Sequence, residues 1–265
     1  MNKTLNKLLA TDEPAAATLR NEFGSSPFFI LVDHAGNSVP RALDRLGVSE
    51  ADCERHIAWD IGAAAVAHLV ADTLDATLVQ QNYSRLVIDC NRAPGSAASI
   101  PEVSELTRIP GNIGLSESQR TVREREIFWP YHDRIAAELD RRLSEGRRTV
   151  LVALHSFTPV YLGVARAWQA GLLYNRDPRF AKVLMTLLRR EELLVGDNQP
   201  YSVSDATDYS IPVHGERRGL LHVEVEIRQD LIADEMGQKS WATRLARLLP
   251  LAHQELMASE RPQAP

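Results

Sequence analysis

Cysteine is scarce: the 265 residues hold two, Cys53 and Cys90, in neither a C-x-x-C pair nor a Cys/His cluster of zinc-finger spacing. That excludes a disulfide framework and leads us to expect reduced thiols in a cytoplasmic protein. A basic excess is also missing. Thirty Lys and Arg against 35 Asp and Glu give a formal net charge of −5, so neither nucleic acid nor an anionic membrane is an expected partner. A small molecule is the default ligand. Long apolar runs are absent too: the opening "MNKTLNKLLATDEPAAATLRNEFG" is broken by "TDEP" and reads as a helical lead-in, with neither a signal peptide nor a membrane span. With no internal repeat and no low-complexity linker, residues 1–265 read as one domain ending in a frayed tail, "ERPQAP".

What is present is alternation. Apolar runs of strand length ("FFILVD" 28–33, "ATLVQQ" 76–81, "RLVIDC" 85–90, "TVLVALHS" 149–156, "AGLLYN" 170–175, "LLHVEVEI" 220–227) are separated by helix-length amphipathic stretches at 56–74, 116–146, 178–192 and 240–259. Pro130 is expected to kink or split the second of these helices. The order predicts an α/β layered domain around a buried, mostly parallel sheet. Three polar stretches, 91–112, 156–168 and 196–219, are too long for simple turns, and in open sheets ligands bind where such loops leave the strand ends.

Polar residues appear where each strand is expected to run out: His34 after "FILVD", Asn91 and Arg92 after "RLVIDC", His155 after "LVAL", and Glu226 near the end of "HVEVEIR". Two imidazoles and an oxygen donor make an open catalytic zinc site, with a further position for water whose pKa falls to ~7. His34 and His155 are the candidate imidazoles. The oxygen is open between Asn37 and Asp60, with Asp60 preferred because a carboxylate carries charge; Asp33 can support a ligating histidine from behind. Glu226 is the candidate general base. For a substrate carboxylate the planar guanidinium fork is suited, and Arg85, Arg92 and Arg166 lie at strand ends or in the long loops, Asn91-Arg92 being the first choice. His214 and Tyr209, in "DYSIPVHGERRG", can polarise a scissile carbonyl or serve only in packing.

Taken together, "DHAGNSVP", "HIAWDIGA", "YSRLVIDCNRAPG", "IPGN", "LHSFTPV", "VGDNQPYS" and "HVEVEIRQDLI", in order from residue 33 to 232, resemble the N-formylglutamate amidohydrolase family. The resemblance implies kinship with zinc carboxypeptidases and aspartoacylases. It also implies a phosphorylase/hydrolase-like three-layer α/β/α fold with a mixed, mostly parallel central sheet. Those relatives bind zinc through H-x-x-E and a later strand-end histidine; here "HAGN" puts Asn37 in the acid's place, which keeps Asp60 in play. Their catalytic F-E-L-R context is similar to "VEIR", carrying the base onto Glu226, and their carboxylate-holding N-R pair is similar to Asn91-Arg92. The implied reaction is zinc-dependent hydrolysis of N-formyl-L-glutamate to formate and glutamate, a step of histidine degradation. A rival is a deacylase or carboxypeptidase-like hydrolase for another acyl group, with Phe157, Trp168 or Tyr201 bounding the acyl pocket. Another is a metal-free binding protein on the same fold.

Overall fold

The computed structural model describes residues 7–259. In chain order its strands are β1 (Ala17–Arg20), β2 (Phe28–Val32), β3 (Thr77–Gln81), a hairpin of β4 (Val103–Ser104) and β5 (Thr107–Arg108), β6 (Val150–Phe157), a second hairpin of β7 (Val160–Tyr161) and β8 (Val164–Ala165), then β9 (Ala170–Leu173), β10 (Val195–Asp197) and β11 (Leu221–Arg228). The helices are α1 (Glu50–Cys53), α2 (Ala63–Leu74), α3 (Glu117–Arg123), α4 (Trp129–Ser144), α5 (Arg179–Arg189) and α6 (Glu235–Ser259). Seven strands form one sheet in the order β1-β3-β2-β6-β11-β9-β10. Strands β3, β2, β6 and β11 are parallel, while β1 and β9 run antiparallel to β3 and β11. The sheet is therefore mixed and mostly parallel, as expected.

Because side chains alternate along a strand, each central strand feeds two cores. Phe28, Ile30 and Val32 of β2, Val150, Val152 and Leu154 of β6, and Val223, Val225 and Ile227 of β11 pack with α2, α5 and α6. The opposite positions, Phe29, Leu31, Leu151 and Ala153, pack with the α3–α4 side through Ile127, Phe128, Tyr131 and Ile135. This gives three layers, α/β/α. His155 and Glu226 continue the second series, so the alternation that builds the core also turns both side chains to the α4 face. Crossover α2 lies on one face and α3–α4 on the other, so β2 and β6 flank the point where the winding reverses, which is where open sheets leave a crevice.

Several expectations need correction. The "helical lead-in" holds no helix from residue 7 to 24; its Ala17–Arg20 instead pairs on β3 as a four-residue edge strand, too short to show a period. The expected frayed tail lies outside the described residues. The 56–74 helix starts only at Ala63, because Asp60 and Gly62 form a turn in which Gly62 has φ +79° and a Cβ there would sit 2.2 Å from the Ile232 carbonyl. "RLVIDC" is not a strand but a buried, irregular segment beneath α4. Its carbonyls are satisfied by side chains instead of a ladder: Asn112 donates to Leu86 at 2.8 Å, Arg123 to Val87 at 2.9 Å and His132 to Cys90 at 2.8 Å. A buried apolar run looks the same in sequence whichever way its backbone is paired. Pro130 does not split its helix. A π turn, Glu124–Phe128, leads into α4 with the Trp129 N–H donating to the Glu124 carbonyl, and this wider turn relieves the clash a proline makes with the preceding turn. Among the described residues no helix is long and apolar enough to cross a membrane.

Candidate metal centre and active site

The parallel strands β2, β6 and β11 end side by side, and the polar residues at their ends meet. Glu226 is in register with His155 across the β11–β6 pair. His34 follows β2 and is tied to the "HIAWDIG" turn by the Asp60 N–H, which donates to the His34 carbonyl at 2.9 Å. The turn after His34 closes on a glycine for lack of room: a Cβ on Gly36 would lie 2.0 Å from the Asn82 carbonyl oxygen. The imidazoles of His34 and His155 have centroids 5.0 Å apart. One ligand atom from each of His34, Asp60 and His155 lies within 4.8 Å of the others, and all three residues are buried.

The hydrogen bonds orient this cluster. Asp60 Oδ2 is 2.9 Å from His155 Nδ1 and 3.4 Å from His34 Nδ1, so both Nδ1 atoms face the same carboxylate. The far nitrogen of each ring is held by a second buried acid: His155 Nε2 lies 3.1 Å from Asp33 Oδ2, and His34 Nε2 2.7 Å from Asp89 Oδ1. Those acids are fixed in turn. Tyr131 and Ser210 donate to Asp33 Oδ1 at 2.9 and 2.5 Å, and Arg85 donates to Asp89 Oδ2 through Nε and Nη2 at 3.1 and 2.7 Å. A carboxylate behind each imidazole would hold a proton on Nε2 when Nδ1 gives its lone pair to a metal, the arrangement that histidine ligands of metals adopt.

Electrostatics points the same way. Burial works to raise Asp33, but the hydrogen bond and charge of His155, with His34 and Ser210, reverse this and hold it at about 2. Against the same burial, His34 and His155 hold Asp60 low, while Arg85 and His34 hold Asp89 well below its usual value. Both imidazoles are shifted upward despite burial: His34 by Asp89 and Asp60, although Arg85 opposes, and His155 by Glu224, Asp33 and Asp60. With both imidazoles protonated, they and Arg85 balance the three carboxylates; once the rings give up a proton each, two negative charges are left for a divalent cation to balance. Each uncompensated buried ion costs several kcal/mol, so the cluster fits a divalent cation. Two nitrogens and one carboxylate oxygen are a donor set suited to zinc.

The cluster floors a cavity of about 590 Å³. Glu226 and Glu224, two residues apart on one face of β11, both line it, and Oε2 of each has no hydrogen-bond partner among the described residues. Burial pushes Glu226 up to about 7, with His155 opposing and Asp60 adding to the rise, and pushes Glu224 up to about 8, with His155 opposing and Asp208 adding. Asn91 and Arg92 line the cavity as well, but both grip the 204–210 loop. Asn91 accepts from Tyr209 N and Ser210 N at 3.0 Å each, and Arg92 reaches Thr207 O and, at 3.2 Å, Asp208 Oδ1, all through Nη1. Arg85 lines the cavity from its position on Asp89.

The remaining candidates sit elsewhere. Arg166 stands at the rim, 4.7 Å from the ring centres of both Tyr161 and Tyr201, and donates to Tyr201 Oη at 2.7 Å; the two tyrosines line the cavity, whereas Arg166 does not. Phe157 lines it too, but Trp168 does not. The amide of Asn37 donates to the Cys53 carbonyl at 3.4 Å and to Glu54 at 3.2 Å, outside the cavity lining. A turn residue three positions after His34 is not obliged to share its direction. His214 is buried in a π turn, Ile211–Gly215, with Nε2 2.9 Å from His132 Nδ1, and it also lies outside the lining. Sequence reasoning missed Asp89, absorbed into a supposed strand, and Glu224. The available signal was an acid inside an otherwise apolar run, "LVIDC" and "HVEVEI", since a buried acid needs a partner.

The chain shares its fold over nearly its whole length with the gene product Atu2144 from Agrobacterium tumefaciens, at 37% identity and a TM-score of 0.92, covering 95% of this chain and 100% of that one. N-formylglutamate amidohydrolase from Ralstonia eutropha JMP134 has a similar fold, with a TM-score of 0.70 at 17% identity, covering 93% of this chain and 100% of that one. No curated protein sequence matches. Residues 26–233, which contain every cluster residue named above, match the family described as N-formylglutamate amidohydrolase, and the chain belongs to that family.

Proposed function

We propose that the protein is a zinc-dependent amidohydrolase that cleaves the amide bond of a small N-acyl amino acid, with N-formyl-L-glutamate as the first substrate to test. The observation that carries this reading is the buried His34–Asp60–His155 cluster with Glu226 beside it, whose Oε2 has no hydrogen-bond partner among the described residues. His34 Nδ1, His155 Nδ1 and an Asp60 oxygen are the atoms that would hold the cation. When bound, a divalent cation supplies a Lewis acid for the acyl oxygen and lowers the pKa of water to ~7.

The chain's own residues do the rest. Asp33 and Asp89 keep the protons of His155 and His34 on Nε2. Glu226, raised to about 7 by burial, takes a proton from the attacking water and passes it to the leaving nitrogen as the C–N bond breaks, releasing a carboxylate and an amine. Among the described residues Arg92 uses only Nη1 on protein partners, which leaves the other edge of its fork for the substrate's α-carboxylate.

Formate release from N-formyl-L-glutamate by zinc-loaded protein, and its loss after chelation, tests the reading. Failure to hydrolyse any member of a panel of N-formyl and N-acetyl amino acids with zinc present would overturn it. Hydrolysis of panel members other than N-formyl-L-glutamate would support the second reading, an amidohydrolase for another N-acyl amino acid. One observation favours that reading: the two guanidiniums lining the cavity are already paired with Asp89 and Asp208, which leaves little positive charge for a second substrate carboxylate.

A further inference from the structure

Arg166 does not itself line the cavity, but the aromatic rings around its side chain do. Its guanidinium carbon lies 4.7 Å from the ring centres of Tyr161 and Tyr201 and 5.9 Å from that of Phe157, and all three residues belong to the cavity wall. The backbone fixes this place. The Arg166 N–H donates at 2.8 Å to the carbonyl of Pro159, just beyond the end of β6, and the Arg166 carbonyl accepts at 3.3 Å from Nη1 of Arg228, the last residue of β11. Arg166 is thereby tied to the ends of the two strands that carry His155 and Glu226.

What separates Arg166 from the guanidiniums inside the cavity is the lack of an acid. Arg85 is paired with Asp89 at 2.7 Å and Arg92 with Asp208 at 3.2 Å. Among the described residues Arg166 has no carboxylate partner, and its guanidinium makes one hydrogen bond, from Nη1 to Tyr201 Oη at 2.7 Å. That hydroxyl is used as an acceptor, and its own proton has no acceptor among the described residues. Ring faces hold a guanidinium by its π surface and leave its edge open. An open guanidinium edge beside a free O–H is a set of donors in want of an acceptor, and an ionised carboxylate, which only accepts, completes it. In the reading above Arg92 takes the substrate's α-carboxylate from the 204–210 side. Arg166, at the rim, is left for a charge on the other arm of the substrate.

Resting on the amidohydrolase reading, we propose that Arg166, together with the Tyr201 hydroxyl, is a specificity-determining pair that binds a carboxylate at the end of the substrate's side chain. It supplies at the rim the positive charge that the paired guanidiniums of the lining do not.

The test compares N-formyl-L-glutamate with N-formyl-L-glutamine, nearly equal in size and different by one charge, on zinc-loaded wild type, Arg166→Gln and Tyr201→Phe. In wild type kcat/KM should favour the glutamate derivative by about tenfold or more, the range of a hydrogen bond to a charged group. Arg166→Gln should remove most of that ratio through a higher KM for the glutamate derivative, with the glutamine derivative little changed. Tyr201→Phe keeps both stacked rings and should lower the ratio by about threefold, as befits a neutral donor. A wild-type ratio near one, or a loss in Arg166→Gln that falls equally on both compounds, would overturn the proposal; the second result would make Arg166 a support for the two tyrosines and no more. Calorimetric binding of the same two compounds separates this from the parent reading. Binding that favours the glutamate derivative and is lost in Arg166→Gln, with neither compound hydrolysed, sinks the amidohydrolase assignment and upholds Arg166. Hydrolysis of both compounds without preference sinks Arg166 alone.

Discussion

His34 and His155 have ring centroids 5.0 Å apart, His132 and His214 have centroids 5.2 Å apart, and none of the four is more than 3% exposed. Their chemistry runs in opposite directions. The first pair is bordered by Asp33, Asp60 and Asp89, and its pKa values are raised. The second sits among Phe128, Tyr131 and Tyr209; burial pushes His132 down to about 4 and, with the charge of His132 adding, His214 down to about 3. Burial and spacing alone thus do not make a metal centre. What sets the candidate metal site apart is its carboxylates, which supply negative charge and face both nitrogens of each ring.

The sharpest way to break the contrast is His155→Ala, expected to abolish both stoichiometric metal binding and turnover, whereas His214→Leu should retain the metal; elemental analysis beside a formate-release assay reads both. Glu226→Gln separates chemistry from binding. It should lower kcat by about 10²–10⁴, the range of general-base catalysis, with metal content unchanged. Asp33→Asn and Asp89→Asn test the role of the acids behind the imidazoles, each expected to weaken metal affinity by about 10–100-fold in a competitive chelator titration.

A smaller effect concerns the second pair. Its folded pKa values lie below the unfolded 6.5, so the unfolded chain binds protons first as pH falls. Stability is full above about 6.5 and is lost on going down toward the folded values. His214→Leu should therefore lose about 2 kcal/mol less than wild type between pH 7 and 5, by urea unfolding of the metal-free proteins. An equal loss in both would remove His214 from the acid sensitivity. The smallest change is expected from Asn37→Ala, whose metal affinity should stay within about twofold, since Asn37 bonds to Cys53 and Glu54 instead of facing the cluster.

The first pair was legible in sequence because strand ends announce themselves: an apolar run stops and a polar residue follows, and parallel neighbours must end together. That logic found His34, His155 and Glu226, and the chemistry of carboxylates favoured Asp60. It did not find Asp89, because an acid in "RLVIDC" looks like the edge of a strand when the segment is an irregular stretch whose carbonyls are met by Asn112, Arg123 and His132. Nor did it find Glu224, because alternation in "HVEVEI" normally marks a solvent-facing side, and here the polar face looks into a buried cavity. The central sheet strands were readable from their apolar runs. The edge strands β1 and β10, of four and three residues, offered too little pattern.

The central claim is that one divalent cation sits between the two imidazoles and Asp60. Anomalous diffraction at the zinc edge from zinc-loaded crystals tests it most directly. The account predicts a single strong peak about 2.0–2.2 Å from His34 Nδ1, His155 Nδ1 and an Asp60 oxygen. A peak at any other residues, or full loading with no peak in the cavity, would contradict it.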